Sequence, residues 1–90
     1  MPKRASRYCG VYAEEKKKFL QKIGQAAAKW RVESGFTQLD ISMRTGYSIP
    51  NISSFEHGMS NSAFLLYHYV QLGFSLDEFV RGEILWQNTH

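Results

Sequence analysis

Ninety residues suffice for one small domain with a modest core, and a composition that is 43% hydrophobic and 14% aromatic with seven Gly and two Pro excludes a disordered chain. The net charge of +3 is unevenly spread. Residues 1–34 carry nine basic groups (Lys3, Arg4, Arg7, Lys16, Lys17, Lys18, Lys22, Lys29, Arg31) against Glu14, Glu15 and Glu33, a balance of +6; the remainder sets Arg44 and Arg81 against Asp40, Glu56, Asp77, Glu78 and Glu83, a balance of −3. A basic N-terminal part suits a polyanionic partner, or equally a solvated lysine-rich helix face. The lone Cys9 forms no intrachain disulfide, and no stretch has the length and apolarity of a membrane span or leader, so a cytoplasmic protein is expected. His57, His68 and His90 are scattered without metal-ligand spacing, and neither a nucleophile motif nor a glycine-rich phosphate loop occurs. The expectation is a non-enzyme without metal or cofactor.

Apolar residues recur at three-to-four spacing in segments closed by Gly, which predicts an all-α chain of five helices. The first runs from about Ala13 to Ser34, with Glu14 and Glu15 where the helix dipole favours acid and Phe19, Leu20, Ile23, Ala27 and Trp30 on one face. Residues 1–12 then precede it as a flexible basic N-terminal arm. The second starts behind Thr37 as N-cap, with Asp40 three residues on, and stops at Gly46. Gly46 can take a left-handed conformation at little cost and so turn the chain sharply before Tyr47 and the next cap, Ser48. The third helix runs to about His57 with Ile52 and Phe55 inward. Ser60, Asn61 or Ser62 caps a fourth, whose apolar face is Leu65, Leu66, Tyr69 and Leu72. Ser75-Leu76-Asp77-Glu78 is a capping box for a short fifth helix ending near Arg81-Gly82. The core candidates are Trp30, Leu39, Ile41, Ile52, Phe55, Leu65, Tyr69, Leu72, Leu76 and Phe79. Residues 13–82 thus form the domain, and 83–90 a C-terminal tail.

Between Gln38 and Phe55 the steric requirements of a helix-turn-helix are met in order. Ser42 is small where two helices cross, Gly46 stands in the turn, and Ile41, Tyr47, Ile52 and Phe55 are apolar inside. With its flanks the sequence resembles the Cro and phage-repressor (XRE-type) helix-turn-helix family over roughly residues 23 to 82. The strings that carry the likeness are Ile23-Gly24, Arg31 with Gly35-Phe36-Thr37-Gln38, Gly46-Tyr47-Ser48, Ile52-Ser53, Glu56-His57-Gly58, and Leu72-Gly73-Phe74-Ser75-Leu76-Asp77-Glu78-Phe79. The resemblance implies a five-helix lambda-repressor-like domain that binds double-stranded DNA and regulates transcription, commonly as a homodimer.

Carried over by position, Gln38 matches the glutamine that binds a DNA phosphate at the start of the second helix, a place where helix N-termini favour anions. Ile49, Pro50, Asn51 and Ser54 match the base-reading positions of the third helix. This surface holds no Arg, Lys or Gln, hence no donor fork for guanine. Asn51 is its best polar reader; Ile49 and Pro50 suit thymine methyl groups, or simply start the helix, and Ser48, Ser53 and Ser54 suit base edges or phosphates. Pro50 restrains Ile49 from helical angles, which predicts a third helix beginning at Pro50. Arg31 and Glu56 match an ion pair that holds the reading helix in place.

After Gly58 the sequence departs from the family: Met59-Ser60-Asn61-Ser62 stands where basic or amide residues and a Pro are usual, and the stretch to Gly73 is about two residues short of the family spacing. His57 and Asn61 remain as phosphate ligands, and Lys3, Arg4 and Arg7 of the arm are candidates for the backbone or minor groove. Ile84, Leu85 and Trp86 either cover the core or join Leu76, Phe79 and Val80 in a dimer contact. A second reading stays open: a protein-interaction module, antitoxin or adaptor, on the same fold.

Overall fold

A computed structural model describes the backbone of residues 2–89 and the side chains of residues 13–82. Five helices follow one another: α1 (Pro2–Glu33), α2 (Gln38–Thr45), α3 (Ile49–Glu56), α4 (Ala63–Leu72) and α5 (Leu76–Thr89). The all-α expectation holds.

The internal starts and stops fall where the capping chemistry places them. Thr37 accepts from the Asp40 amide at 3.0 Å while the Asp40 carboxylate accepts from the Thr37 amide at 2.8 Å, a complete capping box. The bond from the Thr37 amide first, and then the Thr37 hydroxyl beside it, hold the Asp40 carboxyl below its usual range, more than the Arg44 charge does. Ser48, Ser62 and Ser75 cap α3, α4 and α5 through the amides of Asn51, Leu65 and Glu78. Of the three candidates for the fourth helix, Ser62 is the cap. Gly46 closes α2 at φ 79°, in the left-handed region.

Both outer ends are longer than the sequence reading gave them. The backbone is helical from Pro2, so the segment expected as an arm forms the first three turns of α1, and α5 runs through Gly82 to Thr89. Gly10 falls within the expected arm and Gly82 at the expected end of the fifth helix, yet both lie inside helices. Gly inside a helix costs about 1 kcal/mol, which flanking helix formers can offset, and Gly82 keeps an ordinary helical φ. Pro2 sits at the first helical position, where its missing N–H is no loss. The side chains of Lys3, Arg4, Arg7, Ile84, Leu85 and Trp86 lie outside the described residues. α3 begins at Ile49 rather than Pro50; a proline at its second position still falls among the first-turn amides that have no acceptor in the helix.

The core gathers Ala27 of α1, Ile41 of α2, Ile52 and Phe55 of α3, Leu65 and Tyr69 of α4, and Phe74, with Trp30, Phe36, Tyr47, Leu66, Leu72 and Phe79 packed against it. Leu39 corrects the expected core: it is 55% exposed. An eight-residue helix presents two turns, and the stripe through Ile41 is the buried one, which leaves Leu39 and Met43, four residues apart, on the open side. Trp30 stacks on Phe36 at 5.8 Å and meets Tyr69 and Phe74 at 6.2 Å each, so one indole joins three segments.

α1 and α3 touch backbone to backbone. A methyl group on Gly24 would lie 2.5 Å from the Phe55 carbonyl oxygen, and one on Gly58 would lie 2.6 Å from the Gln21 Cα. Gly58 also takes φ 74°, with the Gly58 and Met59 amides bonded back to the Phe55 and Ser54 carbonyls. The C-terminal end of α3 is thereby pressed into the middle of α1.

Candidate nucleic-acid interface

The two ends of α3 are built differently. At its C-terminal end Glu56 is 6% exposed, and such a carboxylate is tolerated inside only if its oxygens are bonded. They are. Arg31 of α1 donates from Nε to Oε2 at 2.7 Å and from Nη2 to Oε1 at 3.1 Å, the two-pronged geometry that suits a guanidinium to a carboxylate. Tyr69 of α4 donates its hydroxyl to Oε2 at 2.6 Å, and Gln38 of α2 its amide to Oε1 at 3.0 Å. Arg31 also reaches the Phe36 carbonyl at 2.8 Å, tying in the α1–α2 loop. One carboxylate therefore fastens α3 to the three helices before and after it in the bundle.

The protonation states follow. Burial pushes the Glu56 carboxyl up, but the bonds from Arg31, Tyr69 and Gln38, with the Arg31 charge, outweigh it and hold the group below the usual carboxylate range. The bond to Glu56 raises Arg31 against the effect of its own burial. Burial first, then the Glu56 carboxylate, raise the Tyr69 phenol, so it stays a donor.

The pair Arg31–Glu56 is as the resemblance implied. Tyr69 and the Gln38 side chain were not seen as its partners. Two general rules carried the signal: a buried tyrosine hydroxyl needs an acceptor, and a buried carboxylate needs more donors than one arginine supplies. The Gln38 amide has a second N–H beyond the one given to Glu56, and its residue begins α2, where backbone amides stand free of helical partners.

The N-terminal end of α3 faces outward. Ser48, Ile49, Pro50 and Asn51 are exposed, Ile49 at 40%. Ser48 spends its hydroxyl on the Asn51 amide, whereas the Asn51 side chain bonds to nothing among the described residues. The first turn holds no acidic residue, so the positive end of the helix dipole is not cancelled there. Ser54, half-buried, lies one turn further on. Behind this surface Ser42 donates to the Tyr47 carbonyl at 2.6 Å and Thr45 accepts from the Tyr47 amide at 3.2 Å, which sets the three-residue turn between α2 and α3.

The remaining candidates separate from this face. His57 Nδ1 lies 2.8 Å from the Ser53 carbonyl, and since a carbonyl only accepts, Nδ1 carries the proton; the ring also sits 3.3 Å from the Ser53 hydroxyl. Ser53 and His57 thus engage each other on one turn. Asn61 is exposed in the α3–α4 loop. Among the described cations, Lys16, Lys17, Lys18, Lys22 and Lys29 line α1 exposed, and Arg44 lies over the Phe36 ring at 5.7 Å. No group of three or more metal-ligating side chains occurs among the described residues.

Comparison with family models, with curated proteins and with solved structures finds no significant match to this chain. No described helix is long and apolar enough to cross a membrane.

Proposed function

We propose that this chain is a lambda-repressor-like, sequence-specific binder of duplex DNA that represses transcription, with α3 in the major groove. The observation that carries the reading is the asymmetry of α3: an exposed first turn of Ile49, Pro50 and Asn51, presented on a helix whose other end is clamped by Arg31, Gln38 and Tyr69 through Glu56. Base readout needs such preorganisation, because a side chain recognises a base edge only if its helix is fixed in depth and angle. Asn51 offers the donor and acceptor pair that an adenine edge requires, and Ile49 and Pro50 offer apolar contact for thymine methyls. The reading turn has no cation, so affinity comes from backbone contacts: the α2 N-terminus at Gln38, Arg44, and the lysines of α1.

The protein-interaction reading has one observation in its favour, the absence of Arg, Lys and Gln from α3. Binding to random duplex DNA and to library-selected duplexes across a salt series separates the two. The DNA reading expects log affinity to fall linearly with log salt, by about 0.9 for each phosphate neutralised, and a recurring selected sequence. A flat salt response with no enriched sequence refutes it and leaves the adaptor.

A further inference from the structure

Arg44 borders two clefts that differ in charge. One, of about 440 Å³, opens toward the α1–α2 loop and includes the Asp40 carboxylate. The other, of about 460 Å³, lies between the end of α2 and the last turns of α4 and is lined by Arg44, His68, Gln71 and Leu72, none of them acidic. α4 itself has no Asp or Glu to add. Asp40, one turn before Arg44, gives its carboxylate to the Thr37 amide, and the guanidinium makes no hydrogen bond or ion pair among the described residues.

The lining of the second cleft is rich in donors. Arg44 offers a planar fork of N–H groups, His68 a ring N–H in either protonation state, and Gln71 the second N–H of an amide whose first goes to the Tyr67 oxygen at 2.8 Å. Neighbouring rings hold these side chains: Arg44 lies over Phe36 at 5.7 Å, and His68 is met edge-on by Phe64 at 4.5 Å and by Tyr67 at 5.4 Å. Held side chains lose little freedom on binding, which lowers its cost. A cation and two further donors without a carboxylate select a ligand whose oxygens carry negative charge.

We propose that this cleft binds a small organic oxyanion, a phosphate monoester or a carboxylate, with its head on Arg44, His68 and Gln71 and its apolar body against Leu72. The volume falls within the range of about 300 to 1,000 Å³ typical of small-molecule sites. A guanidinium fork fits the paired oxygens of either head group, and Leu72 gives an organic molecule a contact that inorganic phosphate lacks. The proposal stands whether or not the chain binds DNA; where it does, the anion competes for the Arg44 named above as a backbone contact.

Titration of the full chain without DNA, at about 0.15 M salt, with phenyl phosphate and with benzoate, followed by the side-chain NMR signals of His68 and Gln71, tests it. Saturable shifts with a dissociation constant of about 1 mM or tighter are expected for at least one of the two, and the tighter identifies the head group. Benzyl alcohol, which keeps the ring without the charge, and inorganic phosphate, which keeps the charge without the ring, bind about fivefold or more weakly. Arg44→Gln weakens binding by about tenfold or more and His68→Leu by about threefold or more, while Lys16→Gln and Lys29→Gln on α1 leave it within about twofold. Arg44 and His68 lie outside the core, and circular dichroism confirms the fold of each variant. Saturable binding of neither anion, benzyl alcohol or inorganic phosphate binding as tightly as the organic anion, indifference to Arg44→Gln, or an equal loss in the lysine variants, each overturns the proposal.

Discussion

The two ends of α3 lie within one eight-residue helix of about 12 Å, yet they meet opposite demands. At Glu56 both carboxylate oxygens are answered from within the chain; at Asn51 the side chain bonds to nothing among the described residues. The buried end contributes orientation more than stability, since a buried ion pair often stabilises less than a well-packed apolar substitute but fails badly when one partner is removed. The Asn51 side chain, at the exposed end, contributes little to folding. The difference teaches where each kind of substitution should register: in stability at one end, in binding at the other.

The largest effect is expected at Glu56→Ala, which strands the Arg31 guanidinium and the Tyr69 hydroxyl together; urea unfolding should show a loss of about 3 to 5 kcal/mol. Tyr69→Phe comes next: it keeps the ring and removes one donor to the carboxylate, for a loss of about 1.5 to 3 kcal/mol. Gly24→Ala follows. Alanine favours a helix over glycine by about 1 kcal/mol, but its methyl would meet the Phe55 carbonyl oxygen at 2.5 Å and force α1 from α3; the atoms it meets are backbone, which puts the cost toward the upper end of the about 1 to 3 kcal/mol of overpacked cores, a net loss of about 1 to 2 kcal/mol. Asn51→Ala closes the series with a change in stability of less than about 0.5 kcal/mol. A comparable loss at Asn51 and Glu56 would erase the contrast between the ends.

Acid sharpens the same comparison. The Glu56 carboxyl is held below its unfolded value, so its contribution is fully present above the unfolded value of about 4.3 and is lost as pH falls from there through the folded value. Unfolding followed against pH should show a steep acid limb in the wild type that is shallower in Glu56→Gln, while Asn51→Ala leaves the limb unchanged.

Much of the scaffold was legible because capping chemistry is local. Thr37 with Asp40, Ser48, Ser62 and Ser75 start helices by rules that span four residues, and Gly46 ends one by its φ angle. The outer ends of α1 and α5 were not legible, since Gly10 and Gly82 break a helix or sit within it according to small differences in propensity. Leu39 was misplaced because an eight-residue helix has room for two apolar stripes and only packing decides which is inside. The pairing of Arg31 with Glu56, 25 residues apart, came from the family resemblance alone, and its extension to Gln38 and Tyr69 required three dimensions. At the exposed end the residue types were readable, while the Gln38 and Tyr69 arms of the clamp that gives them a fixed direction were not.

Whether the exposed end of α3 reads bases is decided by selecting bound duplexes from a random library with wild type and Asn51→Ala side by side. One recurring sequence is expected for the wild type, bound by the variant about tenfold or more weakly and with relaxed preference at a single base pair. Enrichment of no sequence by the wild type, or the same sequence bound equally by both proteins, would contradict the assignment of the exposed end of α3 as the reading surface.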